Sequence, residues 1–519
     1  MTETLFNHVR SVLGLLNENI QEQISRLEGS GRLEHAQVES YQLSTCASAL
    51  LAIPTMLAYA DHGEHERAVA TVFCLQTLRE TAANLLTSGL IDPAAVQIVF
   101  SDQFQVSDSL IDTIALNPGP AHLSPDLELV AETFRRVANE KIAPLADDIH
   151  RNNLDIPEAI INQLAQMGAF GLSIPEEFGG SSNETADDLI AMLVATEELS
   201  RASLGAGGSL ITRPEILAKA ILAGGTEEQK QRFLPALATG ELMGAVAVTE
   251  PDFGSDVANI ATTATPVDGG WRINGTKTWC TFAGRAEILA VLARTDPDRR
   301  LGHRGLSLFL VDKPRADGES FRSESNGGVI EGRAIATLGY RGMHSFEVSF
   351  DNVFVPAAQL VGEASGQGRG FYLQMAGFEN GRIQTAARAV GVMGAAYDAA
   401  CAYASTRSVF GQPLVDYRLS RAKLARMAAT LQASRQVTYA TAGLLAQHQG
   451  SLEASMAKAY TCRAAEWITR EAMQLHGGMG YAEEYPVSRY FVDARVLSIF
   501  EGAEETLALK VIARGLARR

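Results

Sequence analysis

Two segments of the sequence carry residue types that could bind an anion or a flat heteroaromatic ring. The first, residues 246–256, runs from a predicted strand into a turn with glycine and hydroxyl residues, and such a turn exposes backbone N–H groups. The second ends a predicted strand with Trp279, Cys280 and Thr281. Because strand side chains alternate, we expect Trp279 and Thr281 to share a face. An ordinary strand-end turn, and a core tryptophan beside a capping threonine, are open alternatives.

A β region between helical regions must position both segments. Apolar residues at three-and-four spacing predict helices throughout residues 1–115 and 126–237. From Met243 the apolar period changes to two, which predicts about 110 residues of strands, with a hairpin turn at Asn274-Gly275. After Gly362 the helical period returns. We predict the last long helices near residues 370–408, 418–447, 453–475 and 503–516.

The order helical, helical, β, helical predicts a mainly α protein with a central β domain. With 519 residues, three or four domains are expected. A Rossmann enzyme is disfavoured, because its strands alternate with helices and its glycine fingerprint directly follows a strand. We predict domain boundaries on either side of the Pro/Gly break at 117–120 and at the changes of period, giving residues 1–118, 122–241, 242–362 and 363–519.

Net charge and cysteine content restrict the classes of partner and the cellular compartment that we expect. Subtracting 60 acidic from 44 basic residues gives −16, so no nucleic acid is expected. The five cysteines are widely spaced and match no metal-binding pattern, which predicts no metal site and fits a reducing compartment. The N-terminal residues lack the layout of a signal or transit peptide. No stretch is judged apolar and long enough to span a membrane, so we predict a soluble cytoplasmic protein.

Further motifs follow in chain order, and together they resemble those of the acyl-CoA dehydrogenase family. They are Arg407-x-x-Phe410-Gly411, Gln474-x-x-Gly477-Gly478-x-Gly480-Tyr481, Glu484-Tyr485-Pro486 and Phe500-Glu501-Gly502. The resemblance covers about residues 126–519. It implies two helical domains around a β-barrel-like domain, bound FAD, and a homodimer or a homotetramer built as a dimer of dimers.

The resemblance also implies which residues contact FAD. From the β domain these are Val248, Thr249, Gly254, Ser255, Trp279 and Thr281. From the C-terminal helical domain they are Arg407, Phe410, Gln474, Gly477, Gly478 and Glu505. The resemblance implies that Arg407, Phe410 and the segment 474–478 belong to a neighbouring subunit. Two positions depart from the family pattern: Ala503 replaces a threonine, and Arg418 replaces a glutamine.

The chemistry of an acyl thioester calls for a carboxylate base. Its α-C–H is acidified, so a carboxylate beside a site for the developing enolate can remove that proton. The resemblance assigns this role to Glu501. Other members carry the base directly before the arginine that is here Arg382, but that position is Gly381. The resemblance makes Ser255, Glu379, Arg382 and Gly502 contacts to the substrate, and Glu379 is also the second candidate for the base.

The helical extension at residues 1–118 resembles a branch of the family that oxidises a short branched acyl-CoA with a free carboxylate and passes electrons to electron-transfer flavoprotein. Such a carboxylate calls for an arginine, and we expect Arg213 to supply it, although an exposed loop arginine would look the same. A neutral substrate such as isobutyryl- or 2-methylbutyryl-CoA, an acyl-CoA oxidase and a non-catalytic flavoprotein scaffold are the alternatives. The apolar stripes of the extension are expected to pack on the catalytic core or a sister subunit.

Overall fold

The computed structural model describes residues 2–325 and 327–519, except for the side chains of residues 2, 325, 376, 378 and 379. Its α-helices, in chain order from α1 to α19, are Thr2–Gly29, Gln37–Leu50, Ala52–Tyr59, Glu64–Thr87, Pro93–Val96, Asp108–Ile114, Pro125–Val137, Ala143–Asn152, Glu158–Gln166, Ala186–Ala202, Thr212–Gly224, Glu227–Thr239, Glu363–Gly366, Gly370–Thr406, Arg418–Leu445, Ser451–His476, Pro486–Leu497, Glu504–Thr506 and Ala513–Ala517. The long helices predicted after residue 370 are confirmed.

Eight of the described strands lie in the region where the period of two predicted strands, and two short strands at residues 408–413 lie in the C-terminal region, where none was predicted. From β1 to β10 they are Gly244–Ala247, Thr263–Val267, Gly270–Thr281, Ile288–Arg294, Leu306–Asp312, Ser320–Ser325, Gly328–Ala334, Ser345–Pro356, Ser408–Val409 and Gln412–Pro413. The first eight form one sheet in the order β1-β4-β2-β3-β8-β7-β6, with β5 paired to β4. This sheet curls into half a barrel, which confirms the predicted fold class.

The predicted hairpin at Asn274-Gly275 was wrong. Both residues lie inside β3, and β3 pairs with β8 on either side of a register shift between Ile273 and Gly275. The hairpin turn falls instead between β2 and β3, where Val267 pairs with Gly270 and Gly269 has φ 75°. An Asp-Gly pair suits a two-residue turn, whereas a glycine inside a strand often marks a bulge.

The chain divides into two compact units. Unit 1 comprises residues 1–128 and 385–519, and unit 2 comprises residues 129–384. Within unit 2, α11 and α12 pack their apolar faces against β4 and β5, and Leu217, Ile221, Leu237, Leu292 and Leu308 share one buried cluster. Every residue of β4 is buried. A rigid support of this kind lets the neighbouring strand ends and turns carry functional groups.

Within unit 1, the N-terminal block (residues 1–118) packs against the C-terminal helices. Helices α3 and α4 contact α15, and α2 contacts α16, so the predicted packing on the catalytic core is confirmed. The expectation that no stretch could span a membrane was wrong, because Gln37–His62 is long and apolar enough. In its most apolar window, 67% is buried inside the protein, as in a core helix.

Candidate active site

In unit 2, the two segments that opened the sequence analysis lie side by side. The backbone N–H of Thr278 donates to the carbonyl of Thr249 at 2.8 Å. The Nζ of Lys277 donates to the carbonyl of Val248 at 2.9 Å. Residues 248–249 and 277–281 therefore form one structural feature, which we term the aromatic segment.

A buried ion pair stabilises the aromatic segment. Lys277 Nζ lies 2.9 Å from Glu250 Oε1, and Glu250 also accepts the backbone N–H groups of Ala261 at 2.6 Å and Thr262 at 2.9 Å. Burial lowers the pKa of Lys277, although Glu250 opposes that shift. Burial alone would raise the pKa of Glu250, but Lys277 and the hydrogen bonds outweigh it and hold that pKa low. The sequence analysis missed this pair.

The aromatic segment presents a tryptophan ring to solvent. Trp279 has φ 57° and is 56% exposed, and it lies at a register shift of β3 against β8 between Lys277 and Cys280. A bulge interrupts strict alternation in a strand, so the shared face of Trp279 and Thr281 stays a prediction. The Thr281 hydroxyl lies 3.0 Å from that of Ser345.

The tryptophan is therefore a surface feature rather than a core residue. Its neighbour Cys280 is buried, and burial raises the pKa of that thiol to about 12, so it is no nucleophile at neutral pH. Gly254 and Ser255 lie in the exposed turn after β1, and a Cβ added at Gly254 would meet nothing within 4 Å. An open backbone at that turn can approach a ligand closely.

In unit 1, the residues between α17 and α18 form a strained turn that carries Glu501. We term residues 498–503 the glutamate loop. Glu501 has φ 54° and Gly502 has φ 97°, and a non-glycine residue in this region costs about 1–3 kcal/mol and is typical of functional sites. Within the described chain, Glu501 Oε2 is buried and has no hydrogen-bond partner. A buried polar atom left in this state calls for an explanation, and a catalytic role is one of them.

Two buried cations hold the glutamate loop. Lys458 Nζ donates to the Gly502 carbonyl at 2.7 Å, and the guanidinium of Arg388 lies 5.7 Å from the centre of the Phe500 ring. Both basic side chains are almost completely buried. Sequence analysis missed them, and the signal it could have used is a basic residue inside an otherwise small and apolar helix stretch.

Other predicted residues of unit 1 lie on its surface. Phe410 and Gly411 form the two-residue turn between β9 and β10, with φ values of 48° and 90°, as in a type I′ hairpin. This turn leaves Phe410 99% exposed. The end of α16 presents Gln474, Gly477 and Gly478, and a Cβ at either glycine would meet nothing within 4 Å. Arg407 and Glu505 are exposed too.

Arg213 is a buried residue of α11, so the alternative of an exposed loop arginine was wrong. Its Nε donates to the Ser209 carbonyl at 3.1 Å, and Nη2 donates to the Thr212 hydroxyl at 3.3 Å. Within the described chain, its hydrogen bonds reach a carbonyl and a hydroxyl but no carboxylate. Burying a cation without an anionic partner is unfavourable, so this position suits an anionic ligand.

Helix α14 crosses α11 close to Arg213. A Cβ at Gly377 would lie 3.2 Å from the Ile216 carbonyl, and one at Gly224 would clash with Leu373. One turn before Gly377, Gln374 is buried, and within the described chain neither its amide nitrogen nor its amide oxygen has a partner. Sequence analysis missed this residue, because a glutamine on a helix is usually exposed.

The remaining predicted substrate contacts lie on the same helix. Arg382 is half-buried on α14, and Gly381 before it is buried. Glu379 lies on α14 too, but its side chain is outside the described part of the structure.

The residues present fit a bound flavin nucleotide in each unit taken by itself. Unit 2 offers an exposed tryptophan face beside threonine hydroxyls and a turn with an open backbone. Unit 1 offers an exposed phenylalanine, an arginine and open glycines at a helix end. Aromatic faces suit a planar ring, and guanidinium and backbone N–H groups suit phosphates.

Comparison with known proteins identifies the origin of this arrangement. Three acyl-CoA dehydrogenase models match the chain: the N-terminal domain at residues 124–241, the middle domain at 245–353 and the C-terminal domain at 368–517. The chain is 44% identical over 401 residues to (2S)-methylsuccinyl-CoA dehydrogenase of Cereibacter sphaeroides. The matched region covers 77% of this chain and 71% of that protein.

Solved structures agree. Butyryl-CoA dehydrogenase from Megasphaera elsdenii matches with a TM-score of 0.70 and 30% identity over 77% of this chain and 99% of its own. A glutaryl-CoA dehydrogenase from Mycobacterium smegmatis in complex with FADH2 matches with a TM-score of 0.67 and 26% identity, over 76% of this chain and 96% of its own. A structure described as electron transferring flavoprotein of Acidaminococcus fermentans matches with a TM-score of 0.69 and 28% identity, over 77% of this chain and 100% of its own. The chain therefore belongs to the acyl-CoA dehydrogenase family and is a flavin-dependent oxidoreductase.

Proposed function

We propose that this enzyme oxidises (2S)-methylsuccinyl-CoA to mesaconyl-CoA, an FAD-dependent α,β-dehydrogenation. The observation that carries the reaction type is the strained Glu501, with one carboxylate oxygen that is buried and has no partner among the described residues. The substrate is supported by the 44% identity to a methylsuccinyl-CoA dehydrogenase and by the buried Arg213.

FAD is the proposed flavin. The hydroxyls of Thr249 and Thr281, with the backbone at Val248, Gly254 and Ser255, would hold its ring system against Trp279. Its phosphates and adenosine would lie against residues of unit 1 of a neighbouring subunit, namely Arg407, Phe410, Gln474, Gly477 and Gly478. Glu505, close to Gly502 in the sequence, would supply a further polar contact to FAD. When bound, FAD supplies the acceptor for the hydride that leaves the substrate β-carbon. Because two subunits would share each FAD, the proposed assembly is a homodimer or a homotetramer built from two dimers.

Glu501 is the proposed catalytic base. It would take the proton from the α-carbon of the thioester while the hydride leaves the β-carbon, so that a double bond forms between the two carbons. The backbone N–H of Glu501 would donate to the thioester oxygen, where negative charge develops. Gly381 offers no carboxylate, so the α14 position used by other members of the family cannot serve here.

Arg213 is the proposed partner of the free carboxylate of the substrate. The closeness of α11 and α14 at Ile216 and Gly377 supports this role, because Arg213 lies one turn before Ile216 and Gly381 one turn after Gly377. A carboxylate there would neutralise the buried guanidinium and accept two parallel hydrogen bonds. The buried amide of Gln374 adds a polar group on that helix.

The CoA part of the substrate would contact the remaining predicted residues. Ser255 and Gly502 would contact the thioester, Arg382 would contact the substrate, and Glu379 would bind the amides of the pantetheine arm. Because the chain carries a net charge of −16, local arginines and backbone N–H groups must hold the anionic nucleotide. We further propose electron-transfer flavoprotein as the electron acceptor, with some support from the third structural match, and a cytoplasmic location.

Anaerobic titration of the purified holoenzyme tests the function. Each candidate acyl-CoA is added and the flavin absorbance is followed. We expect methylsuccinyl-CoA to bleach the flavin fastest. Faster bleaching by isobutyryl- or 2-methylbutyryl-CoA would replace the proposed substrate with a neutral one, and no bleaching by any thioester would favour a scaffold. Rapid reoxidation by oxygen would indicate an oxidase.

Arg213→Ala tests the carboxylate contact separately. We expect methylsuccinyl-CoA turnover to fall by about 100-fold or more, because truncating one partner of a buried charge pair costs about 2–5 kcal/mol. Turnover of a neutral acyl-CoA of similar length should be largely retained, and Arg213→Lys should lose less than Arg213→Ala. Equal losses on both substrates would contradict the assignment.

A further inference from the structure

The N-terminal block is bonded to the segment that follows the glutamate loop. Tyr41 on α2 donates its hydroxyl to a carboxylate oxygen of Glu504, three residues after Glu501. One turn further along α2, Ser44 donates to the Ala508 carbonyl at 2.9 Å. Residues three apart lie on one face of a helix, so a single face of α2 holds the start of the last helical segment.

Further contacts extend along that last segment. Glu34 pairs with Lys510 at 3.2 Å and with Arg514, and Gln21 Nε2 donates to the Leu516 carbonyl at 2.9 Å. The segment includes a π-helical stretch, Leu507–Ile512, a geometry frequent at functional sites. Its position is thus fixed by the N-terminal block along its whole length.

Glu504 connects this attachment to the glutamate loop. Its backbone N–H donates to the Ser498 carbonyl at 3.1 Å and closes the loop that contains Glu501. Its carboxylate, mostly buried, lies 3.4 Å from Arg463 Nε. Burial and the hydrogen bond to Glu504 raise the pKa of Tyr41 to about 12, so this hydroxyl keeps its proton and remains a donor at physiological pH.

We propose that Tyr41 is a positioning residue for catalysis, through which the N-terminal block holds Glu504 and thereby the geometry of Glu501. This inference rests on the proposed role of Glu501 as base. The N-terminal block then acts on the reaction of its own subunit, through a hydroxyl and a carboxylate that the family motifs do not include.

Tyr41→Phe in the holoenzyme tests the proposal, with Tyr59→Phe as the matched control. Tyr59 lies in the same block and donates its hydroxyl to the Pro120 carbonyl at 3.0 Å, away from the glutamate loop. We expect Tyr41→Phe to slow flavin reduction at saturating methylsuccinyl-CoA by about tenfold with little change in KM, because a misplaced base lowers the rate rather than the affinity. Tyr59→Phe should reduce at the wild-type rate.

A double-mutant cycle with Glu504→Gln shows whether Tyr41 acts through Glu504. The two effects should not add, so Tyr41→Phe should slow Glu504→Gln no further. Additive effects, a rate for Tyr41→Phe equal to that of Tyr59→Phe, or a rise in KM alone would overturn the proposal.

Amide hydrogen exchange supplies a readout that does not depend on activity. Peptides that cover residues 498–507 should exchange faster in Tyr41→Phe than in wild type or Tyr59→Phe, since the amides of Glu504 and Leu507 close this region. Unchanged exchange there would overturn the proposal. If no acyl-CoA bleaches the wild-type flavin, the proposed function fails, and this exchange experiment still decides whether Tyr41 fixes the loop.

Discussion

The aromatic segment of unit 2 and the glutamate loop of unit 1 share one construction but differ in how it is supported. Each has a non-glycine residue in left-handed backbone, Trp279 at φ 57° and Glu501 at φ 54°. Each also has a carbonyl held by a buried lysine, Lys277 at Val248 and Lys458 at Gly502. Strained backbone persists only where its surroundings over-determine it.

The difference lies in what surrounds the lysine. Lys277 pairs with Glu250 inside a sheet, where strand pairing already fixes the backbone. The glutamate loop joins two helices, and Lys458, Glu504 and the N-terminal block hold it from separate directions. A sheet can thus present a rigid platform with one local ion pair, whereas a helix connection needs contacts from distant parts of the chain.

The largest expected effect is on the chemistry at the glutamate loop. Glu501→Gln should slow flavin reduction by about 10³–10⁴-fold, because it removes the base while keeping the shape of the side chain. Stopped-flow absorbance under anaerobic conditions measures this rate. Flavin content should stay at the wild-type level, and a loss below tenfold would mean that another group takes the proton.

The next largest effect is on the aromatic segment. Lys277→Met should lower the free energy of unfolding by about 3–5 kcal/mol, because it leaves Glu250 buried without its cation. Chemical denaturation measures the loss. The double variant Lys277→Met with Glu250→Gln is the control and should recover part of the stability. No recovery would show that the ion pair is not what fixes this segment.

Lys458→Met tests whether the glutamate loop serves the chemistry while the aromatic segment serves flavin binding. Losing a hydrogen bond from a charged donor to the Gly502 carbonyl costs about 1.5–3 kcal/mol, so flavin reduction should slow by about tenfold or more. Flavin content after gel filtration should be retained in Lys458→Met and reduced in Lys277→Met. The opposite pattern would contradict the assignment of binding to one segment and chemistry to the other.

The smallest effect concerns pH. The pKa of Glu250 is held below its ordinary value of 4.5 in the folded protein, so the unfolded chain binds this proton more tightly. The stabilisation is complete above about pH 4.5 and is lost as the pH falls through the folded pKa. Melting temperature should therefore fall more steeply with acid in wild type than in Glu250→Gln, and parallel curves would contradict the pairing.

Periodicity and motifs predicted much of this molecule. The long C-terminal helices and strands such as β5 and β8 follow from apolar spacing, since that spacing alone fixes which face is buried. Several motif residues lie at strand ends, turns or helix ends, among them Thr281, Phe410 and Gly477. The Asn274-Gly275 hairpin failed because the same dipeptide fits a bulge inside a strand, and only pairing with β8 distinguishes the two.

Other features depend on partners distant in sequence. Arg213 reads as an ordinary loop arginine until α11 and α14 enclose its surroundings. Tyr41 and Glu504 are 463 residues apart, and nothing in either neighbourhood predicts their contact. The apolar run at residues 37–62 resembles a membrane span by composition, and its burial in unit 1 depends on packing against the C-terminal helices.

The sequence by itself determined the family, the order of its helical and β regions and the carboxylate proposed as base, because motifs and periodicity are local properties of the chain. Only the tertiary structure decided which groups support that carboxylate. Buried lysines, a buried arginine and a tyrosine of the N-terminal block gain their roles from burial and from contacts with distant parts of the chain, which no local pattern encodes.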